Sequence, residues 1–312
     1  MHRARHDYQA FGLRIRSSLP LPELIPDDSE GDPDAQIVYG SVPADLPNAT
    51  FVRARFQAAA GAFLLRIEGV ARYLVTDGRR IVVEPEAQAL EEDVRLFLLG
   101  SALGALLHQR HDLVLHGSAI EVGGCCAVFL GASGSGKSTV ALAFRERGYP
   151  ILTDDLSVVR AGRDGRLAIQ PGYPQAKLWL DSLASVNISG EDLRRIRRPM
   201  EKRALPLDAS FFRSALPVCR IYILRPDDRD DIRIEPVSGS HRFAVLKNHT
   251  YRFRYLEGSG SKADHFQSAV QLAQQVPISI VRRPREPFRL AELADRLEAD
   301  LCIPPVTRFE LP

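Results

Sequence analysis

Eight residues near the middle of the chain, Gly131-Ala132-Ser133-Gly134-Ser135-Gly136-Lys137-Ser138, limit its fold more than any other feature. They match the spacing G-x-x-x-x-G-K-[ST] at every fixed position. An apolar run from Cys126 to Leu130 leads in, and a helix-compatible stretch from Thr139 to Phe144 leads out. Strand, glycine-rich turn and helix, in that order, give the pattern a mechanism. The glycines let successive amides turn inward, and those amides with a helix N-terminus form a cradle for phosphate. In such a cradle Lys137 reaches the β- and γ-phosphates and the Ser138 hydroxyl coordinates Mg²⁺. The stretch therefore predicts an α/β fold with a nucleoside-triphosphate site, and Gly131 through Thr139 as its nucleotide-binding residues.

Residues C-terminal to the loop narrow the chemistry. The helix is expected to end at Arg147, with Gly148 just beyond it. Ten residues of helix rise about 15 Å, enough to return the chain along a sheet. Tyr149 to Thr153 then reads as a strand parallel to the loop strand through a right-handed crossover. Asp154 and Asp155 stand at its C-terminal end, the edge where ligands bind in such sheets. Adjacent carboxylates point in different directions and can divide two tasks. One holds Mg²⁺ and the other accepts the proton of an attacking hydroxyl. Upstream, Leu113 to Val122 reads as a strand that carries His116, and Gly123-Gly124 as the tight turn into the loop strand.

The first third of the chain carries no recognisable chemistry. Short segments at 11–15, 37–40 and 51–56, and a hairpin built from 63–67, 71–75 and 81–85, predict a small antiparallel sheet. Apolar residues from Val94 to Leu107 predict a helix over about 89–109, packed on two sides. A boundary near 110 separates an N-terminal β-rich domain (1–110) from a catalytic domain (111–312). Beyond the core, Glu191 to Arg203 is strongly basic, with Arg194, Arg195, Arg197, Arg198, Lys202 and Arg203. It reads either as a solvated helix face or as a flap that carries Lys202 and Arg203 over a transferring phosphoryl group. Val218 to Leu224 and Ile232 to Val237 predict a strand pair. The stretch 240–256 is an amphipathic helix on the core or a peptide-docking surface. A helix over 263–275, a strand over 278–284 and a closing helix over 290–301 complete the expectation.

Composition excludes several classes. A net charge of +2 over 312 residues argues against nucleic acid as a partner. The longest apolar region, Leu96 to Leu107, is too short to span a bilayer, so no membrane partner is expected. The N-terminus has no apolar signal core. Cys125, Cys126, Cys219 and Cys302 include no C-x-x-C pair, and the adjacent Cys125 and Cys126 point to opposite faces of a strand. That usage suits reduced thiols in a cytoplasmic protein. Zinc spacing is absent, as is the N-K-x-D tetrapeptide that reads guanine. A homo-oligomer stays open.

His116-Gly117, the loop Gly131 to Ser138 and the triplet Thr153-Asp154-Asp155, at these short spacings, resemble the catalytic domain of bacterial HPr serine kinase/phosphorylases. The short gap between Lys137 and Asp154 is the specific part of the resemblance. It implies ATP and Mg²⁺ as cofactors, and a phosphate-loop kinase domain with the sheet architecture shared with phosphoenolpyruvate carboxykinases. It also implies Asp154 as the general base, Asp155 with Ser138 on the metal, and His116 near the phosphate. The family's Glu-x-Arg-Gly-x-Gly segment is absent, and Pro171 to Leu180 stands in its place. Thr139 stands where the family has Glu. HPr is therefore not the expected acceptor, and phosphorylase activity is not implied. Tyr8 to Leu13, Leu19 to Leu24 and Pro171 to Leu180 are similar to HPr-kinase-related proteins encoded beside lasso-peptide gene clusters. The implied activity is an ATP- and Mg²⁺-dependent serine kinase acting on a small protein or ribosomal peptide, with the C-terminal serine of a lasso-peptide precursor as acceptor. The loop itself is blind to the acceptor, so a nucleotide-hydrolysing switch or assembly protein and a small-molecule kinase stay open beside it.

Overall fold

The computed structural model describes residues 5–162, 164–197 and 200–301; Met1 to Ala4, Arg198 and Cys302, each part of a segment with a sequence-based expectation, lie outside the described residues. The chain opens with nine strands: β1 (His6–Ala10), β2 (Leu13–Ser17), β3 (Ile25–Pro26), β4 (Ala35–Tyr39), β5 (Phe51–Val52), β6 (Phe56–Ala59), β7 (Ala62–Ile67), β8 (Ala71–Thr76) and β9 (Arg80–Pro85). They form one sheet in the order β3-β1-β2-β4-β9-β8-β7-β6-β5. Period-two patterning builds it. β2 buries Leu13, Ile15 and Ser17 and turns Arg14 and Arg16 toward Asp7 on β1. The sheet is larger and more mixed than the small antiparallel one expected, because β4 runs parallel to both β2 and β9. The long connection after β2 lets the chain cross over and re-enter in the same direction, which a tight hairpin cannot do.

The helix expected over 89–109 is two helices, α1 (Glu91–Phe97) and α2 (Leu103–Gln109), joined by a π-helical turn at Leu98–Ala102. Every residue of that turn is buried. A π turn swings the apolar stripe around the axis, which suits a helix covered on more than one side.

The second unit contains β10 (Leu113–Val122), β11 (Cys125–Gly131), α3 (Lys137–Glu146), β12 (Ile151–Thr153), β13 (Leu156–Ala161) and β14 (Leu167–Gln170). A small sheet comes next, β15 (Gln175–Trp179), α4 (Leu180–Ala184), β16 (Arg195–Arg197) and β17 (Met200–Pro206), paired in the order β15-β17-β16. β18 (Leu216–Asp227), β19 (Arg233–Pro236), α5 (His241–Asn248), α6 (Lys262–Gln275), β20 (Ile278–Pro284) and α7 (Leu290–Leu301) finish the chain. The loop strand β11 lies between antiparallel β10 and parallel β18, and β18 is in turn parallel to β20. α3 ends as expected. The Gly148 amide donates to Arg145 O and the Tyr149 amide to Phe144 O, which satisfies two terminal carbonyls.

Several pairings differ from expectation. β12 runs in the direction of β11 but pairs antiparallel with β10, which stands between them. β18 and β19 are not a hairpin, because β20 inserts between them. The stretch 240–256 is α-helical only over His241–Asn248, with a short 3-10 turn at Phe253–Leu256, and Tyr251 and Tyr255 are buried in the core rather than offered to a peptide. The basic segment is a pair of strands, not a helix. Cys125 is joined to Cys219 by a disulfide across β11 and β18, with Cα atoms 5.8 Å apart, while Cys126 is buried and free. The adjacent cysteines do face opposite ways, but Cys125 is not a reduced core thiol. Cysteine usage therefore gives no support to a cytoplasmic location. Among the described residues no helix is long and apolar enough to cross a membrane.

One core runs through the proposed boundary at 110. Side chains from β1, β2, β7, β8 and the α1–α2 pair cluster with Val114, Leu156, Val158, Tyr173, Tyr251 and Tyr255. The tip of the first hairpin is one of the contacts across that boundary. Phe11 is fully buried, its amide donates to Pro171 O at 2.7 Å, and Arg160 donates to its carbonyl at 2.6 Å.

Candidate active site

The loop takes the shape that its glycines require. Gly136 is left-handed at φ 98° immediately before α3. A Cβ on Gly131, at φ 155°, would lie 2.3 Å from Ser135 Oγ and 2.8 Å from Leu224 O. Only glycine lets the backbone close on itself this way. Lys137 folds back over the loop and donates to Gly131 O at 3.0 Å and Ala132 O at 3.1 Å. Burial pulls its ammonium below the ordinary value, against the attraction of Asp154 and Asp155. Ser135 Oγ is buried with no hydrogen-bond partner among the described residues. From the far side Arg283 donates to Ser135 O and stacks at 4.0 Å on Phe288.

Ser133, Gly134, Gly136, Lys137, Ser138 and Thr139 line a cavity of about 270 Å³, and Asp154, Asp155 and His116 line it with them. The fold thus gathers the expected residues from separate strands and a loop. Gly131 and Ser135 are buried inside the loop instead, and Ala132 is exposed away from the cavity lining. Thr139 turns its hydroxyl to Ser182 Oγ at 2.8 Å.

The two carboxylates divide sharply. Asp154 Oδ1 accepts from Ser138 Oγ at 2.7 Å and from Ser118 Oγ at 2.6 Å, and its Oδ2 accepts from the Lys177 amide at 2.9 Å. Asp155 has φ 76°, a left-handed turn that aims its side chain away from that of Asp154. Its Oδ1 lies 3.2 Å from His116 Nδ1 and its Oδ2 3.2 Å from Lys177 Nζ. Burial alone would push the Asp155 carboxyl up, but the Lys177 ammonium and His116 outweigh it and hold the group well below the usual carboxylate range. The carboxylate on the loop serine is therefore Asp154, whereas the resemblance put Asp155 there.

Two site residues escaped the sequence reading. Ser118 sits two residues beyond His116 on β10, hence on the same face, and strand period alone could have found it. Lys177 comes from β15, in the segment that departs from the HPr kinase pattern. The flap candidates also separate. Lys202 pairs with Trp179 in register and lies 5.0 Å over its ring, and both line the cavity. Arg203 faces the other way and donates to Gly190 O at 3.1 Å. Neighbours on a strand cannot share a face, so one of the two candidates had to point elsewhere.

Among the described residues no cluster of three or more His, Cys, Asp or Glu side chains could hold a metal ion. The donors present do fit a divalent cation shared with a nucleotide. Ser138 and Asp154 already meet at one point, and phosphate oxygens would complete the shell.

No family model matches the chain, and no curated protein matches it. Among solved structures it is similar to the Hpr(Ser) kinase/phosphatase from Coxiella burnetii, with a TM-score of 0.32 and 12% identity over 60% of this chain and 89% of that one. At that level of similarity the site's own geometry must carry the functional reading.

Proposed function

We propose that the protein transfers the γ-phosphoryl group of ATP to a hydroxyl, acting as a serine kinase on a small protein or ribosomal peptide. The observation that carries this reading is a carboxylate on the loop serine (Asp154 on Ser138) beside a second, separately held carboxylate (Asp155) in the same cavity. A site built only to bind nucleotide has no use for the second.

In this reading the loop amides and Lys137 receive the β- and γ-phosphates, Lys137 exchanging its two loop carbonyls for phosphate oxygens. Ser138 and Asp154 would hold Mg²⁺, which neutralises charge on the phosphates when bound. Asp155 accepts the proton of, or orients, the acceptor hydroxyl, with His116 beside it. These roles exchange Asp154 and Asp155 relative to what the resemblance implies. Lys202 adds positive charge from the small sheet above.

The acceptor is the finest part of the proposal, and the C-terminal serine of a precursor peptide is the first to try. Incubation with γ-labelled ATP, Mg²⁺ and the peptides encoded beside the gene separates the classes. Label in a peptide serine supports the kinase reading. Phosphate release without label supports a nucleotide-driven switch. Absence of both overturns the reading.

A further inference from the structure

Among the described residues Lys177 is the one that touches both carboxylates, and it does so with chemically different groups. Its backbone amide donates to Asp154 Oδ2 at 2.9 Å, and its ammonium lies 3.2 Å from Asp155 Oδ2. The side chain is only 12% exposed. It reaches the site because β15 alternates. Ala176 and Leu178 are buried in the core, while Lys177 and Trp179 share the opposite face, above the loop. Tyr173 also lies close enough to the ammonium to interact with it. Burial works against the charge on Lys177, but Tyr173 and Asp155 more than offset it, so its pKa is raised and the ammonium stays charged.

We infer that Lys177 is the positioning residue that apportions the two carboxylates, its amide holding Asp154 against Ser138 and its ammonium holding Asp155 toward the acceptor. The inference rests on the proposed kinase activity and deepens it. A carboxylate offers about four lone-pair positions. His116 on Oδ1 and Lys177 on Oδ2 fix the plane of Asp155 and leave each oxygen a lone pair for an acceptor hydroxyl. Loss of the ammonium leaves Asp155 held by His116 at one oxygen, free to rotate. Displacement of a reacting group by about 1 Å costs on the order of 10²-fold in rate. The amide survives any side-chain substitution, so Asp154 and the metal side should not notice the change.

That asymmetry is the test. Lys177→Met keeps an unbranched stem and the backbone amide and removes the ammonium; Lys177→Arg restores a cation. Turnover is followed as ADP formed from Mg·ATP. Nucleotide binding is followed independently by the emission of Trp179, the chain's single tryptophan, which lines the cavity. The inference expects kcat of Lys177→Met to fall about 10²-fold, with the ATP binding midpoint within about threefold of wild type and kcat partly recovered in Lys177→Arg. Loss of ATP binding in step with kcat, or a Met variant that turns over like wild type, overturns it. Wild-type protein that neither transfers nor hydrolyses ATP overturns the kinase reading and this inference together, whereas wild-type turnover indifferent to Lys177→Met overturns this inference alone. Thermal melting of both variants guards against misfolding, and a Met variant that does not fold leaves the decision to Lys177→Arg. An arginine that holds kcat near wild type supports the role, and one that loses ATP binding together with kcat ends it.

Discussion

The apportionment of the two carboxylates can be tested by replacing each with asparagine and comparing what is lost. Asp154 accepts three hydrogen bonds, from Ser118, Ser138 and the Lys177 amide. Asparagine can keep all three by turning its oxygen to the amide and its NH₂ to the serine oxygens, since a hydroxyl donates or accepts. The fold then loses only the difference between charge-assisted and neutral bonds, about 1 kcal/mol each and about 3 kcal/mol at most. What disappears is the anionic ligand beside Ser138, so the Mg²⁺ concentration needed for half-maximal turnover should rise at least about tenfold. Asp155 is held by the Lys177 ammonium and by His116 and is one-quarter exposed. Solvent screening brings the stability cost of Asp155→Asn to about 1–2 kcal/mol. Its kcat should fall by about 10²–10⁴-fold, a barrier increase of about 3–5 kcal/mol, at an unchanged Mg²⁺ requirement. ADP formation across a Mg²⁺ titration at saturating ATP, for wild type and both variants, reads out both quantities. The converse pattern, a raised Mg²⁺ requirement in Asp155→Asn and an unmoved one in Asp154→Asn, refutes the assignment and restores the order that the resemblance implies.

Three further outcomes are expected. Gly131→Ala should lose about 2 kcal/mol or more in urea unfolding, because its Cβ meets Ser135 and a backbone carbonyl, while Gly134→Ala, with nothing within 4 Å, should lose less; equal midpoints would refute the packing argument. His108 and His265 titrate near 6.5 in the unfolded chain, but burial pulls both to about 4 in the fold. Between those values the unfolded chain binds more protons, so stability should fall as pH drops from about 6.5 toward 4, by about 3 kcal/mol for the fully buried His108. Melting curves of wild type and His108→Leu across that window check this, the variant having the flatter profile. Lys202→Ala should lower kcat/KM for ATP by about tenfold, while Arg203→Ala should leave it unchanged and cost about 1–2 kcal/mol of stability through the freed Gly190 carbonyl.

The loop was legible because its signal is local. Strand, glycines, lysine and serine are contiguous, and their φ angles follow from residue type. Asp154 and Asp155 were legible as a pair for the same reason. Their division of labour was not, because it depends on a left-handed turn at a non-glycine residue and on a lysine more than twenty positions away. Lys177 was invisible on its own strand, where one lysine among apolar residues reads as solvated. The small sheet went unread because the run from Glu191 to Arg203 carries so many Arg and Lys residues that a charged helix face explained it equally well. Strand identities at β18, β19 and β20 follow from composition, but their order does not. β20 enters between its predecessors only after α5 and α6 have carried the chain across, a long-range event that leaves no local trace.

The buried tip of the first hairpin has a consequence for how the chain is made. Phe11 docks on Pro171, and the core that surrounds it is completed by Tyr173, Tyr251 and Tyr255. During synthesis the nine N-terminal strands leave the ribosome well before those tyrosines exist. At about 5–20 residues per second, roughly 7–30 s pass between the end of α2 and Tyr255. Throughout that interval the core face of the nascent sheet is covered by α1 and α2 alone, and it is side chains of the second unit, Tyr173, Tyr251 and Tyr255 among them, that arrive late and complete it.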